Sequence, residues 1–182
     1  MFLEEVRQSE EEHHLDLTRQ VFRDYQAGRL PAGPGARELI AAFENIDTAL
    51  KDHDPGAPVV LDSDQRLGNL LRGQARSLHV GTANLCWYRD PAKALCNKLA
   101  GTPGAPEPKG MLCDAGRCPQ STIHESQLSV WSDKAATMNG MLKALPRSQR
   151  AERRRLQDEL NRTVEIISSI GRPREHREGA SR

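Results

Sequence analysis

All the cysteines of this 182-residue chain fall in one stretch: Cys86, Cys96, Cys113 and Cys118, with His124 a short way beyond the last. Thiolate and imidazole are the ligands of structural zinc, which holds four of them tetrahedrally and commonly draws cysteines from pairs separated by two to four residues. Cys113 and Cys118 meet that spacing as one knuckle. Cys86 and Cys96 are too far apart for a knuckle and converge only if the turn at Arg89-Asp90-Pro91 folds the following segment back. The ligand set is then four cysteines, or three with His124. Zinc is favoured over an iron–sulfur cluster because the compact spacings of ferredoxin-type sites are absent. Two other readings stand beside the metal: buried thiols packing as small hydrophobes, and a reversible disulfide or redox pair.

The second chemical signal is basic. Arg147, Arg150, Arg153, Arg154 and Arg155 lie close together with only Glu152 among them, and Arg72, Arg76 and His79 share one face of an expected helix. Clustered guanidinium groups bind nucleic-acid phosphate by displacing its counterions, without reading sequence. The formal net charge is only +1, so this local distribution, and not overall charge, points to DNA. The alternative is that these arginines answer the acidic run Ser9 to Asp16 within the chain.

Enzymatic constellations are incomplete. No His-Glu-x-x-His pair occurs, and His13-His14 sits in an acidic helix where a solvated face is expected. A catalytic zinc keeps an open position and needs a general base, for which Asp114, Glu125 and His124 qualify by proximity alone. Cys96 near Lys93 has the setting of an activated thiol but lacks an identifiable His/Asp partner. A metal-dependent nucleic-acid hydrolase is therefore the third reading, behind a DNA-binding module and a protein-interaction module.

The elements that position these residues are mostly helical. Leu17, Val21 and Tyr25 are spaced for a helix over about 2–27, fraying before Ser9, and Leu39, Ile40, Phe43, Ile46 and Leu50 mark a strongly amphipathic helix over 36–52. Asp54-Pro55-Gly56-Ala57-Pro58 ends it. A third helix is expected over 63–79, with Gly68 and Gly73 requiring close packing or a break. Asp90-Pro91 reads as a helix start and Gly101 as the matching end, which places Cys96 on a short helix over 92–99. Helix resumes over 126–144, breaks at Leu145-Pro146 and continues to about Ile170. There Leu156, Leu160, Val164, Ile167 and Ile170 approach a coiled-coil seam, fitting either a homodimer through the C-terminal helix or packing on the same chain.

The expected architecture is thus mostly α: a helical domain over 1–145 with a small zinc-stabilised Cys-rich insert at 81–124, a basic amphipathic C-terminal helix at 146–170, and a disordered tail at 171–182. No apolar run approaches the roughly 20 residues of a membrane span. Met1-Phe2-Leu3-Glu4-Glu5 lacks the basic-then-apolar pattern of a signal peptide. A cytoplasmic location without membrane contact is expected, and reducing conditions there favour metal over structural disulfides.

Taken together, Arg72 to Gly81, then Cys86-Trp87-Tyr88-Arg89-Asp90-Pro91-Ala92-Lys93-Ala94-Leu95-Cys96, then Cys113-Asp114 and Arg117-Cys118-Pro119-Gln120, resemble a group of short actinobacterial proteins labelled integrase or mobile-element associated. The likeness covers about Arg66 to Trp131 and implies a DNA-integration setting. It does not imply a recombinase. A tyrosine recombinase needs a nucleophilic tyrosine late in its catalytic domain, whereas the tyrosines here are Tyr25 and Tyr88. Neither the N-terminal domain of a serine recombinase nor the mixed α/β carboxylate site of a two-metal transposase is evident. The expectation is a zinc-stabilised DNA-binding accessory or regulatory protein.

Overall fold

A computed structural model describes residues 2–51 and 63–172; the expected loop at Asp54 to Pro58 and the tail beyond Arg172 lie outside the described residues. The described chain is mostly helical. Three helices, α1 (Phe2–Gln26), α2 (Ala36–Lys51) and α3 (Ser63–Ala75), precede two short strands, β1 (Leu78–Val80) and β2 (Leu85–Trp87). The short helix α4 (Leu95–Leu99) and a third strand, β3 (Ser121–Thr122), lead to the long helices α5 (Leu128–Ala144) and α6 (Arg150–Ser169). None of the described helices is long and apolar enough to cross a membrane.

The helices follow the apolar spacing closely. Leu39, Phe43 and Ile46 of α2 meet Val21, Phe22 and Tyr25 of α1 and Leu71 of α3 in one core. Phe22 and Phe43 are fully buried and cross edge to face, with Trp87 of β2 adding a further edge-on contact to Phe43. Helix α1 runs unbroken from Phe2 through Ser9, so the expected fraying is not seen. The close packing or break expected at the two α3 glycines is not seen: a Cβ at Gly68 would meet only the end of the flexible Arg19 side chain, at 2.6 Å, and one at Gly73 would meet nothing within 4 Å, while the helix runs through both.

The sheet is the feature that periodicity did not announce. The third helix ends at Ala75 instead of reaching His79, because Ser77 O accepts the Tyr88 N–H and the chain leaves the helix to pair with β2. The strand order is β1-β2-β3, antiparallel throughout, with Cys86 opposite His79 on one side and Ser121 on the other. Such short strands carry too few residues for alternation to stand out, and pairing rather than propensity decides them. Leu78, Leu85 and Trp87 point into the helical core. Cys86, one residue out of phase, faces the other side of the sheet, as the period of two requires.

A second, smaller core joins the C-terminal hairpin to this sheet. Trp131 of α5 and Ile166 of α6 pack with Ala32, Ala115 and Ile123, and Ile167 and Ile170 close the edge. The Trp131 indole N–H also donates to Ala83 O at 2.7 Å, in the turn between β1 and β2. Lys134 stacks over the same ring and pairs with Glu159 at 2.8 Å, tying α5 to α6. Burial alone would push the Glu159 carboxyl up, but hydrogen bonds and charge from Lys134 and Arg162 bring it down to about 2. Of the apolar seam of α6, Ile167 and Ile170 pack within the chain, Leu156 and Leu160 are half-buried, and Val164 is 51% exposed.

Two substitutions separate these roles. Trp131→Ala should cost about 3–5 kcal/mol in chemical denaturation, because it empties the second core and frees the β1–β2 turn. Val164→Arg should change stability by no more than about 0.5 kcal/mol.

Candidate metal centre

The turn after β2 does what the cysteine spacing demanded. Gln120, 5% exposed, accepts the Arg89 and Asp90 backbone N–H groups on its Oε1, each at 2.8 Å, and donates from Nε2 to Asp90 O at 2.9 Å. One side chain thus uses both ends of its amide to hold the reversal. Asp90 Oδ1 then accepts from Ala92 N at 3.0 Å, with Pro91 in the first position of a 3₁₀ turn, Pro91–Lys93. The expected helix start is present, but Ala94 is extended, so the predicted helix over 92–99 becomes that turn followed by α4. Gly101, at φ +69°, lies in the left-handed conformation just past its end, as expected.

Beyond α4 the Pro/Gly-rich loop is anchored at Ala105. Its carbonyl accepts from the Tyr88 hydroxyl, and the fully buried Asn97 donates to that same hydroxyl. A second 3₁₀ turn, Gly110–Leu112, packs on α4 and delivers Cys113; a tight turn from Asp114 to Cys118 follows.

All four cysteines consequently line one cavity of about 260 Å³, together with His79, Asn84 and Asp114 among others. Cys86 comes from β2, Cys96 from α4, and Cys113 and Cys118 from the two ends of the returning turn. Cys96 and Cys118 are buried, Cys86 is half-buried, and Cys113 sits exposed at the rim with its thiol donating to Asn84 Oδ1 at 3.8 Å. No disulfide joins them. Burial, reinforced by the neighbouring Cys118, Cys113 and Cys96, pushes the Cys86 thiol up to about 12. Partial burial of its sulfur also raises Cys113, followed by the effects of Cys118 and Cys96. Thiols raised in this way stay protonated near neutrality and make poor nucleophiles. A divalent cation would reverse that local electrostatic balance and deprotonate them. Among the described residues no three Cys, His, Asp or Glu side chains already stand as a closed ligand set.

His124 is held elsewhere. It does not line the cysteine cavity, and its Nε2 stands 2.8 Å from Thr122 Oγ1, which also accepts the Trp87 indole N–H at 2.8 Å. The Thr122 hydroxyl also lies 3.4 Å from Leu85 O as a donor, so it links β2, Trp87 and His124 in one buried polar cluster. Burial, outweighing the charge of Asp24, holds His124 down to about 4. Of the residues drawn from spacing, the four cysteines share one cavity and His124 lies outside it.

The arginines divide by position. Arg153 donates to Leu142 O and Leu145 O at 2.6 and 2.7 Å, capping the C-terminal end of α5. Arg155 pairs with Glu152 at 2.7 Å. Arg147, Arg150 and Arg154 are exposed and make no ion pair among the described residues. Arg72 and Arg76 line a separate cavity of about 310 Å³ with Gln8, Glu11, Glu12 and His14, so their nearest charged surroundings are the acidic α1.

Asn84, Gln120 and the Tyr88–Asn97 pair were not singled out from the sequence. Gly81-Thr82-Ala83-Asn84 is nevertheless a turn signal, and reading it between Leu78-His79-Val80 and Leu85-Cys86-Trp87 would have given the hairpin. Nothing local marks Gln120, whose partners lie about thirty residues earlier.

His124 gives a test by pH. The unfolded ring takes up its proton near its ordinary value of 6.5, while the folded ring resists until about 4. Its contribution to stability is intact above pH 6.5 and is lost as pH falls through that window, by about 3 kcal/mol in all. Unfolding curves measured across pH 7 to 4 should show this loss, and His124→Asn should flatten it relative to the parent chain.

Set against protein-family models, curated proteins and solved structures, the chain matches none of them.

Proposed function

We propose that this chain is a zinc-clamped helical binding protein that contacts DNA as an accessory or regulator in a mobile-element setting, without being a recombinase itself. The observation that carries the metal reading is the convergence of Cys86, Cys96, Cys113 and Cys118 on one cavity. Four sulfur donors from separate elements suit the closed tetrahedral site of structural zinc. The donor set fits in type: four sulfurs line one cavity, and a buried amide N–H of Asn84, a residue of the same lining, has no partner. When bound, the ion would cross-link β2, α4 and the returning turn, so the small Cys-rich unit owes part of its folding free energy to metal.

The DNA reading rests on Arg147, Arg150 and Arg154 at the α5–α6 turn, supported by the resemblance to integrase-associated proteins. Arg153 caps α5, Arg155 is exposed but shares its charge with Glu152, and Arg72 and Arg76 face acidic neighbours. The phosphate-binding face is therefore narrower than the run of arginines implies. The second core holds the hairpin against the β1–β2 turn at the cavity wall, so the zinc clamp and the basic turn belong to one framework.

Elemental analysis of native protein should find about one zinc per chain with the thiols protected from alkylation. Metal-free protein with freely reacting cysteines would dismiss the clamp. DNA affinity should fall with salt, and replacing Arg147, Arg150 and Arg154 by alanine should lower the log–log slope by about one for each phosphate no longer neutralised. Arg72→Ala with Arg76→Ala should lower it less. A flat salt response in the parent chain would refute DNA contact.

A further inference from the structure

Asn84, a residue of the cysteine-cavity lining, carries a buried polar atom without a partner. The residue is 4% exposed, and its Nδ2 is buried without a hydrogen-bond partner while its Oδ1 accepts from the Cys113 thiol. A buried amide N–H left unpaired is costly, and native structures rarely keep one without a reason. The two ends of a carboxamide are nearly identical in shape, so a half-turn of the amide exchanges donor for acceptor without moving other atoms.

That exchange is what metal binding at Cys113 would require. As a thiol, the sulfur donates a proton and calls for an oxygen opposite it. As a metal-bound thiolate, it has no proton to donate and can only accept. We propose that Asn84 is a positioning residue for the metal-bound form of Cys113, turning its amide so that Nδ2–H donates to the ligating sulfur. This rests on the four-cysteine zinc reading. Partners of this kind orient metal ligands and tune their basicity.

The surrounding backbone fixes Asn84 for this task. The Gly81 N–H donates to Asn84 O at 2.9 Å, closing the turn between β1 and β2. A Cβ on Gly81 would stand 2.6 Å from Asn84 Oδ1 and 3.1 Å from its carbonyl oxygen, so the side chain can fold over residue 81 only because that residue is glycine. Trp131, hydrogen-bonded to Ala83 O, holds the same turn against α5. The amide is thus confined beside Cys113 by backbone closure, by a missing Cβ and by the second core.

Zinc affinity by chelator competition on the full chain tests the assignment. Asn84→Asp keeps the shape but cannot donate from an ionised carboxylate, and should weaken zinc binding about 10–100-fold. Asn84→Ala should weaken it too, while the cobalt-substituted protein keeps the charge-transfer bands of a tetrahedral thiolate site. Variants that bind zinc as tightly as the parent would overturn the role of Asn84 and leave the clamp standing; a parent chain that binds no zinc would overturn both. Should a variant fail to fold, the parent chain loaded with cadmium-113 decides the matter. The Asn84 side-chain amide proton should then show scalar coupling to the metal through the sulfur. An uncoupled amide proton at its free-solvent shift would refute the hydrogen bond.

Discussion

The pairing of β2 between β1 and β3 fixes the direction of three consecutive side chains, sending Leu85 and Trp87 into the helical core and Cys86 to the opposite face of the sheet. A one-residue slip would turn Cys86 into the aromatic core and Trp87 toward the cavity. Trp87 guards against that slip, since its ring packs on Phe43 while its N–H is satisfied by Thr122 of β3. The helical core and the cysteine cavity therefore share a wall. Whatever stabilises one register stabilises both sides at once.

The rest of the cysteine region is held by polar side chains instead of apolar burial. Gln120 holds the reversal after β2, and Tyr88 with Asn97 holds the loop after α4. The small cluster of Tyr88, Ala94 and Cys96 offers little hydrophobic surface of its own. Ordering loops of this length costs about 1–2 kcal/mol per residue in backbone entropy. Hydrogen bonds contribute only about 0.5–1.5 kcal/mol each, net. A region built this way gains more from a cross-linking ion than a region with a large apolar core.

Local geometry likewise explains why arginines of similar sequence context differ in role. A guanidinium has five donors in a rigid plane and serves backbone carbonyls as readily as carboxylates or phosphates. Arg153 lies where α5 ends with unpaired carbonyls, and caps them. Arg150 and Arg154 share its helix but remain exposed. A one-residue step along α6 turns a side chain by about 100°, which is enough to move it from the hairpin interior to solvent.

Much of the helical framework was legible in the chain because helical periodicity repeats over many residues: α2, the break at Pro146 and the cap at Asp90-Pro91 all carry local signals. The sequence by itself also determined that the cysteines are clustered and that Cys113 and Cys118 form one compact pair. It could not determine the sheet, whose strands are too short for alternation to stand out, nor the distant contacts through which Gln120 closes the turn after Cys86. Nor could it tell whether His124 lies with the four cysteines or apart from them. Tertiary structure decided these points because each depends on groups distant in the chain: strand register sends Cys86 to the cavity, while burial beside Thr122 and Trp87 takes His124 away from it.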